Sequence, residues 1–293
     1  MSKTSTVREE LKVGRANTPE FAWPTVILAL VLLGGFVASV ALAMLGYIPY
    51  WAAGALNTVV IYSIYTVMHE AVHYNISSRR HGLRWVDTVL GHAAGFLLWQ
   101  FVDHHREQHM MHHKHANEEH DPDINARGSF PGYIFWRLPV ALVNYFNPFA
   151  LYAQCKEYGV SKAGIRRSLT GFAFNAAVLI GLIVAGFGIE VLVLWFIPWW
   201  IGNTVMLTMF TWLPHHDHHE TGRYRDTRVF DFPGANFVLL GQGYHLIHHM
   251  MPAVPWYRYK PTFQQLRPTL EENNARIEGL IPEPQSNSTA SDH

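Results

Sequence analysis

Long stretches without charged side chains dominate the polarity pattern of this chain. Residues 21–68 contain no Asp, Glu, Lys or Arg, and this run is long enough for two membrane spans of about 20 residues each. Residues 46–49, Gly-Tyr-Ile-Pro, supply a turn signal near its middle. Two further uncharged runs, 168–189 and 191–214, are separated by Glu190 alone. The pattern predicts four transmembrane helices arranged as two hairpins.

Two weaker apolar segments lie between these pairs. Residues 85–101 and 133–154 are apolar enough to form helices, but Gly, Asp or Pro interrupts them, and both are rich in aromatic residues. This composition is typical of helices at the membrane interface. We expect interfacial helices here, with a third membrane hairpin as the alternative. The predicted fold class is therefore an all-α integral membrane protein.

The basic residues predict an orientation in the membrane. All 22 Lys and Arg lie outside the four apolar runs, and both hairpin turns contain none. Because positive residues mark the cytoplasmic side, we expect both termini and every histidine cluster to face the cytoplasm. The chain then divides into a cytoplasmic segment (1–20), a membrane domain (21–268) and a polar, disordered tail (269–293).

Composition narrows the classes of cofactor and partner. Hydrophobic residues make up 49% of the chain and charged residues 15%, which favours a membrane protein. The single cysteine, Cys155, excludes an intrachain disulfide, a Cys-ligated iron–sulfur cluster and a Cys-rich zinc module. A net charge near zero gives no indication of a nucleic-acid partner.

Histidine clusters are the strongest chemical signal. His-x-x-His-His occurs at 109–113, 215–219 and 245–249, and His-x-x-x-His occurs at 69–73. Residues three and four positions apart share a helix face, so each cluster can direct two imidazoles at one ion. Adjacent histidines differ by about 100° around a helix, so the doubled histidines indicate two neighbouring ions. Because neutral imidazole is a common ligand of iron, zinc and copper, we predict a dinuclear centre.

Two other interpretations remain open. The segment His69-Glu70-Ala-Val-His73 also fits the zinc-protease motif, in which two His bind zinc and Glu is the general base. That interpretation leaves the clusters at 109–113 and 245–249 without a role. A loose, non-catalytic metal-binding tract is the second alternative.

The order of the clusters resembles the membrane-bound fatty acid desaturase superfamily over roughly residues 21–268. The resemblance implies four membrane helices with a cytoplasmic cap that holds two irons. Within the superfamily, residues 112–123 (HHKHANEEHDPD) and 239–257 (LLGQGYHLIHHMMPAVPWY) look most like cyanobacterial-type β-carotene hydroxylases.

The resemblance implies nine metal ligands: His69, His73, His109, His112, His113, His215, His245, His248 and His249. The sequence departs from the family pattern after His215, where His216, His218 and His219 follow. By spacing alone 215–219 could form a box. We favour His215 as the ligand and interpret the other three as groups around the site or at the surface.

Other polar residues fall near the clusters. Those expected to orient ligand histidines are Glu70, His92, Asp121 and Asp123. His105, four positions before His109, is a weaker ligand candidate. The histidines expected at the surface or around the site are His81, His104 and His120.

The implied activity is O₂-dependent oxidation of an unactivated C–H bond in a lipid-soluble substrate. Hydroxylation of a β-carotene ring is our first expectation, and desaturation or hydroxylation of a fatty acyl chain is the alternative. Because the chain has no dinucleotide-binding fingerprint, electrons must come from a separate ferredoxin or cytochrome-like donor. The basic residues expected to receive that donor are Arg223, Arg225, Arg228, Arg258 and Lys260.

Overall fold

A computed structural model of the chain describes residues 3–123, 128–216 and 219–279. Helices account for most of them: α1 (Lys3–Asn17), α2 (Trp23–Met44), α3 (Tyr50–Val72), α4 (Arg84–Leu98), α5 (Val102–His115), α6 (Leu138–Asn144), α7 (Pro148–Glu157), α8 (Lys162–Val184), α9 (Gly188–His215), α10 (Ala235–Val238), α11 (His245–Met250) and α12 (Tyr259–Glu272). Shorter helical turns occupy His81–Leu83, Phe130–Gly132, Tyr133–Arg137, Gln242–Tyr244 and Trp256–Arg258.

Four of these helices, α2, α3, α8 and α9, are long and apolar enough to cross a membrane. Their number agrees with the hydropathy pattern. Gly46 lies in the short connection between α2 and α3 with φ +79°, a left-handed conformation that glycine adopts without steric cost. Two π-helical turns, Leu192–Phe196 and Thr208–Trp212, lie within α9.

Helix α3 is the centre of the bundle and packs against α2, α4 and α9. Glycines allow the closest approach between α3 and α9. A Cβ atom on Gly54 would lie 2.8 Å from the carbonyl oxygen of Val193, and one on Gly202 would lie 2.7 Å from Cγ2 of Ile61. Because both helices advance in the same direction between these contacts, they run parallel. Their C-terminal ends, which carry His69 and His215, therefore lie at the same end of the bundle.

A buried polar contact joins three of the apolar helices. The Ser39 hydroxyl on α2 donates to Oδ1 of Asn57 on α3, and Nδ2 of Asn57 donates to the carbonyl oxygen of Leu194 on α9 at 2.7 Å. Such side-chain hydrogen bonds fix the relative position of helices where hydrophobic burial alone gives little direction.

The C-terminal part of the chain forms a compact cap beside α1. Strands β1 (Arg228–Phe230) and β2 (Arg276–Glu278) pair in parallel, with Val229 opposite Ile277. The protein is mostly helical, as expected, and this strand pair is the one addition among the described residues, because three-residue strands are too short to give a periodic signal. Folded structure continues through α12 and β2, past the domain boundary expected at residue 268. Residues 280–293 lie outside the described residues.

Candidate metal centre

The nine histidines implied as ligands come from four places in the fold. His69 lies in the last turn of α3, and His73 is the first residue after that helix. His215 is the last residue of α9. Helix α5 contributes three histidines and α11 contributes three more. Long-range packing of these helices therefore builds one site from clusters that are distant in sequence.

One group consists of His69, His73, His109 and His248, whose ligand atoms all lie within 4.8 Å of one another. Nε2 of His248 lies 3.1 Å from Nε2 of His69 and 3.3 Å from Nε2 of His109. His113 adjoins the same group, because its Nε2 atom lies 2.8 Å from that of His248. Ring nitrogens that converge in this way present their lone pairs to a common centre.

A second group consists of His112, His215, His245 and His249, also within 4.8 Å of one another. Nε2 of His245 lies 3.0 Å from Nε2 of His215 and 3.2 Å from Nε2 of His249.

The two groups adjoin each other. The rings of His113 and His249 have centroids only 4.5 Å apart. Each adjacent pair, His112 with His113 and His248 with His249, divides between the groups. The 100° rotation between neighbouring helical residues accounts for this division.

Six of the nine histidines are held neutral by their surroundings. Burial, and then the neighbouring imidazoles, lower the pKa values of His109, His245 and His248 well below the ordinary range. The same two causes lower the pKa values of His73, His113 and His249. Because metal ions bind the unprotonated imidazole, this environment suits coordination.

Three histidines have a polar partner at Nδ1, which leaves Nε2 facing the group. Nδ1 of His112 lies 2.8 Å from Oδ1 of Asp121, and Nδ1 of His245 lies 3.2 Å from Oε1 of Gln242. Nδ1 of His248 lies 2.9 Å from the hydroxyl of Tyr259. Sequence reasoning missed Gln242 and Tyr259. Gln242 could have been found from its position three residues before His245, whereas Tyr259 lies on another helix and has no such signal.

Asp121 is a buried carboxylate beside the second group. Burial acts to raise its pKa, but hydrogen bonds from His112 and from the backbone N–H groups of Asn117 and Asp123 outweigh this effect and lower the pKa overall. The ionised carboxylate can therefore accept the Nδ1–H of His112. Asp123 lies farther away, with Oδ2 3.8 Å from the same nitrogen.

The other residues expected to orient ligands occupy different positions. Glu70 is buried beside His69, but its Oε1 atom lies 4.0 Å from Nδ1 of that ring and accepts from the backbone N–H of Trp256 at 3.3 Å. His92 is exposed on α4. The ring of His105 stacks against His109 at 5.9 Å between centroids, outside both groups.

The structure describes two of the three histidines that follow His215, and neither belongs to the second group. His216 stacks on Trp212, with 4.2 Å between ring centroids, and therefore lies apart from the second group. His219 is exposed, and His218 lies outside the described residues. Among the remaining histidines, His81 and His120 are exposed, while His104 is partly buried and its pKa is lowered to about 4 by burial.

A cavity of about 420 Å³ lies beside the histidines. Its wall includes six aromatic residues, among them Trp99, Phe101 and Tyr133, together with polar residues such as His104 and His105. Asp123 and Thr211 line both this cavity and a smaller crevice that reaches His69, His109, His112 and His245. A molecule bound in the cavity would therefore lie next to the metal-binding groups.

The basic residues do not all face solvent. Arg258 and Lys260 are exposed, and Arg225 pairs at the surface with Glu220 at 2.8 Å. Arg228 is completely buried and lies 3.2 Å from Oε1 of Glu278. The expectation that Arg228 belongs to a docking surface is therefore wrong, since β1 and β2 enclose its side chain.

Comparisons with known proteins point to one family. The family model for fatty acid desaturases matches residues 45–279. A beta-carotene ketolase from Paracoccus sp. is 24% identical over 205 residues, covering 68% of this chain and 73% of the relative. An sn-1 oleoyl-lipid 12-desaturase from Anabaena variabilis is 23% identical over 276 residues, covering 84% and 76%. A chloroplastic sn-2 acyl-lipid omega-3 desaturase (ferredoxin) from Arabidopsis thaliana is 22% identical over 261 residues, covering 75% and 55%.

Proposed function

This chain belongs to the fatty acid desaturase family, and we propose that it is a membrane di-iron oxygenase that hydroxylates a carotenoid ring. The reaction is R–H + O₂ + 2 e⁻ + 2 H⁺ → R–OH + H₂O, so one oxygen atom enters the ring and the other leaves as water. The observation that carries the proposal is the division of the histidines into two adjoining groups, each with ligand atoms within 4.8 Å of one another.

Nine histidines would hold the two irons. The set proposed for the first ion is His69, His73, His109, His113 and His248, and the set for the second is His112, His215, His245 and His249. The donors fit a metal, because the buried Nε2 atom of His73 has no hydrogen-bond partner among the described residues. Iron bound by imidazole supplies the activation of O₂ that oxidation of an unactivated C–H bond requires.

The protein's own side chains position the centre. Asp121, Gln242 and Tyr259 would accept the Nδ1–H groups of three histidines and so fix each ring with Nε2 inward. Burial keeps the imidazoles neutral. The cavity beside them would hold one end of the substrate and exclude water from the reacting carbon.

The substrate assignment rests on the cavity and on the relatives. An aromatic-lined cavity of about 420 Å³ is within the range of small-molecule sites and suits the ring at the end of a carotenoid. The Paracoccus relative is named as a beta-carotene ketolase, and formation of a ketone, like the hydroxylation that we propose, introduces oxygen into a carotenoid. The β-carotene ring is our reference substrate.

Oxidation of a fatty acyl chain is the second candidate. It is favoured by the match to the acyl-lipid desaturase of Anabaena variabilis, which covers more of this chain than the ketolase match does. Abstraction of a second hydrogen instead of return of oxygen would give a double bond. The zinc-protease interpretation of residues 69–73 has no support from the family.

Electrons would come from a separate reduced protein that docks on the metal side of the membrane. The Arabidopsis relative has ferredoxin in its name, which supports a donor of that type. Exposed Arg225, Arg258 and Lys260 are the basic groups that we propose for the docking surface. Their charge suits an acidic partner.

We also propose the membrane topology that the basic residues indicate. The apolar helices would form two hairpins whose connections face away from the cytoplasm, with α4, α6 and α7 at the interface. Exposed Trp85, Trp136 and Phe149 on or next to these helices suit the lipid headgroup region. The nine histidines and both termini would then be cytoplasmic.

Expression in cells that accumulate β-carotene, with a ferredoxin supply, tests the function. We expect hydroxylated carotenoid in the lipid extract, and none from the His245→Ala variant. If carotene is unchanged while host fatty acids gain double bonds or hydroxyl groups, the carotenoid assignment is wrong. If neither class of lipid changes and the purified chain holds one zinc, the oxygenase proposal itself is wrong.

A further inference from the structure

One wall of the cavity is a tight turn at the end of α4. The backbone N–H of Gln100 donates to the carbonyl oxygen of Gly95 at 2.9 Å, and a Cβ atom on Gly95 would lie 2.3 Å from the carbonyl oxygen of Gln100. Trp99 adopts a left-handed conformation with φ +59°, which is costly for a bulky residue and often marks a functional position. The turn brings three consecutive residues, Trp99, Gln100 and Phe101, to the cavity wall.

Two of these residues carry buried polar atoms that lack a partner. Nε1 of Trp99 and Oε1 of Gln100 have no hydrogen bond to any described residue, and the two residues are only 4% and 6% exposed. The other amide atom of Gln100, Nε2, donates to the hydroxyl of Tyr145 at 3.2 Å, which fixes the orientation of the amide. Buried polar groups are nearly always paired, so this donor and this acceptor call for a polar ligand.

More unpaired polar atoms line the same cavity. The Nε2 atoms of His104 and His105 are also buried without a hydrogen-bond partner among the described residues. An unsubstituted hydrocarbon ring would leave all of these groups desolvated and unpaired, at a cost in binding affinity. An oxygen on the ring would pair with some of these groups and so reduce that cost.

We propose that the ring bound in this cavity already carries a hydroxyl or carbonyl oxygen, which accepts a hydrogen bond from Nε1 of Trp99. A hydroxyl would also donate to Oε1 of Gln100, whereas a carbonyl could not. The inference rests on the proposed function and makes it more specific. A separate ring-oxygenating reaction would then supply the preferred substrate, while the unsubstituted β-carotene ring would bind more weakly and still react.

Binding of carotenoids to the purified, iron-loaded full chain in lipid nanodiscs tests the inference. The probes are a hydrocarbon carotenoid, its ring-hydroxylated form and its ring-keto form, with affinity measured by the visible absorption of the bound pigment. We expect the oxygenated forms to bind about tenfold more tightly, the usual scale for a buried hydrogen bond. Trp99→Phe should reduce this preference for both forms, while Gln100→Leu should reduce it for the hydroxylated form alone.

Trp51→Phe is the matched control, because Trp51 is 76% exposed at the start of α3 and does not line the cavity. If all three pigments bind the unmodified chain with equal affinity, the inference is wrong. It is also wrong if only water is found beside Trp99 and Gln100 when the pigment is bound. Turnover of the hydrocarbon in that case would leave the proposed function intact. Failure of every carotenoid to bind, with binding of acyl lipids instead, would overturn both.

Discussion

Oδ1 of Asp121 lies 2.8 Å from Nδ1 of His112, and both side chains are almost completely buried. The hydrogen bond fixes His112 with Nε2 toward His215 and His249, whose rings have centroids 4.7 and 5.0 Å from that of His112. Because a carboxylate behind a metal-binding imidazole also raises its basicity, this pair should govern how tightly the second ion is held.

Replacement of Asp121 by Asn should therefore weaken metal binding. We expect a loss of about 10- to 100-fold in affinity for one of the two ions, measured as metal retained per chain during dialysis against a chelator. Glu118→Gln is the matched control, since Glu118 is exposed and contacts His115 outside both groups. Equal metal retention in the two variants would show that the Asp121 contact does not support the centre.

Tyr259→Phe should have a similar effect on the first ion. The change removes only the hydroxyl that lies 2.9 Å from Nδ1 of His248, so we expect about a tenfold loss of metal affinity with an unchanged fold. Tyr257→Phe, on the neighbouring turn, should bind metal as the unmodified chain does. A normal metal content in Tyr259→Phe would argue that His248 needs no partner at Nδ1.

Replacement of His215 and replacement of His216 should have opposite outcomes for metal binding. His215→Ala removes a proposed ligand and should abolish binding of the second ion, whereas His216→Ala removes a ring stacked on Trp212 and should leave the metal content unchanged. Metal analysis of the two purified variants distinguishes these outcomes. Loss of metal from His216→Ala with retention in His215→Ala would reverse our assignment.

Acid should destabilise the metal-free protein. Burial holds the pKa values of His109, His245 and His248 well below their ordinary value of 6.5. Above pH 6.5 these groups are neutral in both the folded and the unfolded chain. Below it only the unfolded chain binds their protons, so stability falls by about 1.4 kcal/mol per pH unit for each group. Thermal unfolding in detergent should show a midpoint that decreases from pH 7 to pH 5.5, and a constant midpoint would contradict these environments.

Arg228 should contribute to the stability of the folded chain and not to electron transfer from the donor. Arg228→Met removes one of the two cations that pair with the buried carboxylate of Glu278, the other being Arg276, and loss of such a charged hydrogen bond typically costs about 1.5–3 kcal/mol. Arg225→Met, at the surface, should change stability by less than about 1 kcal/mol. Thermal unfolding measures the stability of both variants. If Arg228→Met unfolds normally but slows reduction by the donor, Arg228 belongs to the docking surface after all.

The sequence predicts the four apolar helices well, because a run without charges is a local signal that needs no knowledge of tertiary contacts. It also predicts the separation of adjacent histidines, since His112 and His113 must diverge on any helix. It cannot predict that α9 packs along α3, because that depends on the close approach at Gly54 and Gly202.

Apart from Gln242, the residues that sequence reasoning missed or misplaced depend on partners distant in sequence. Tyr259 reaches His248 only after α11 and α12 fold together, and Arg228 resembles a surface residue until Glu278 is placed beside it. Trp99 and Gln100 look like ordinary interfacial residues in the sequence. Their unpaired polar atoms become visible only in the folded cavity.

The most direct test of the central claim is the fate of molecular oxygen. Iron-loaded protein in bilayers would be incubated with a carotenoid, reduced ferredoxin and oxygen labelled with the heavy isotope ¹⁸O, and the carotenoid would be analysed by mass spectrometry. We predict a product with one labelled oxygen atom on the ring, formed only when iron is present. Recovery of unlabelled carotenoid from iron-loaded protein that consumes oxygen and oxidises an acyl lipid would contradict the account.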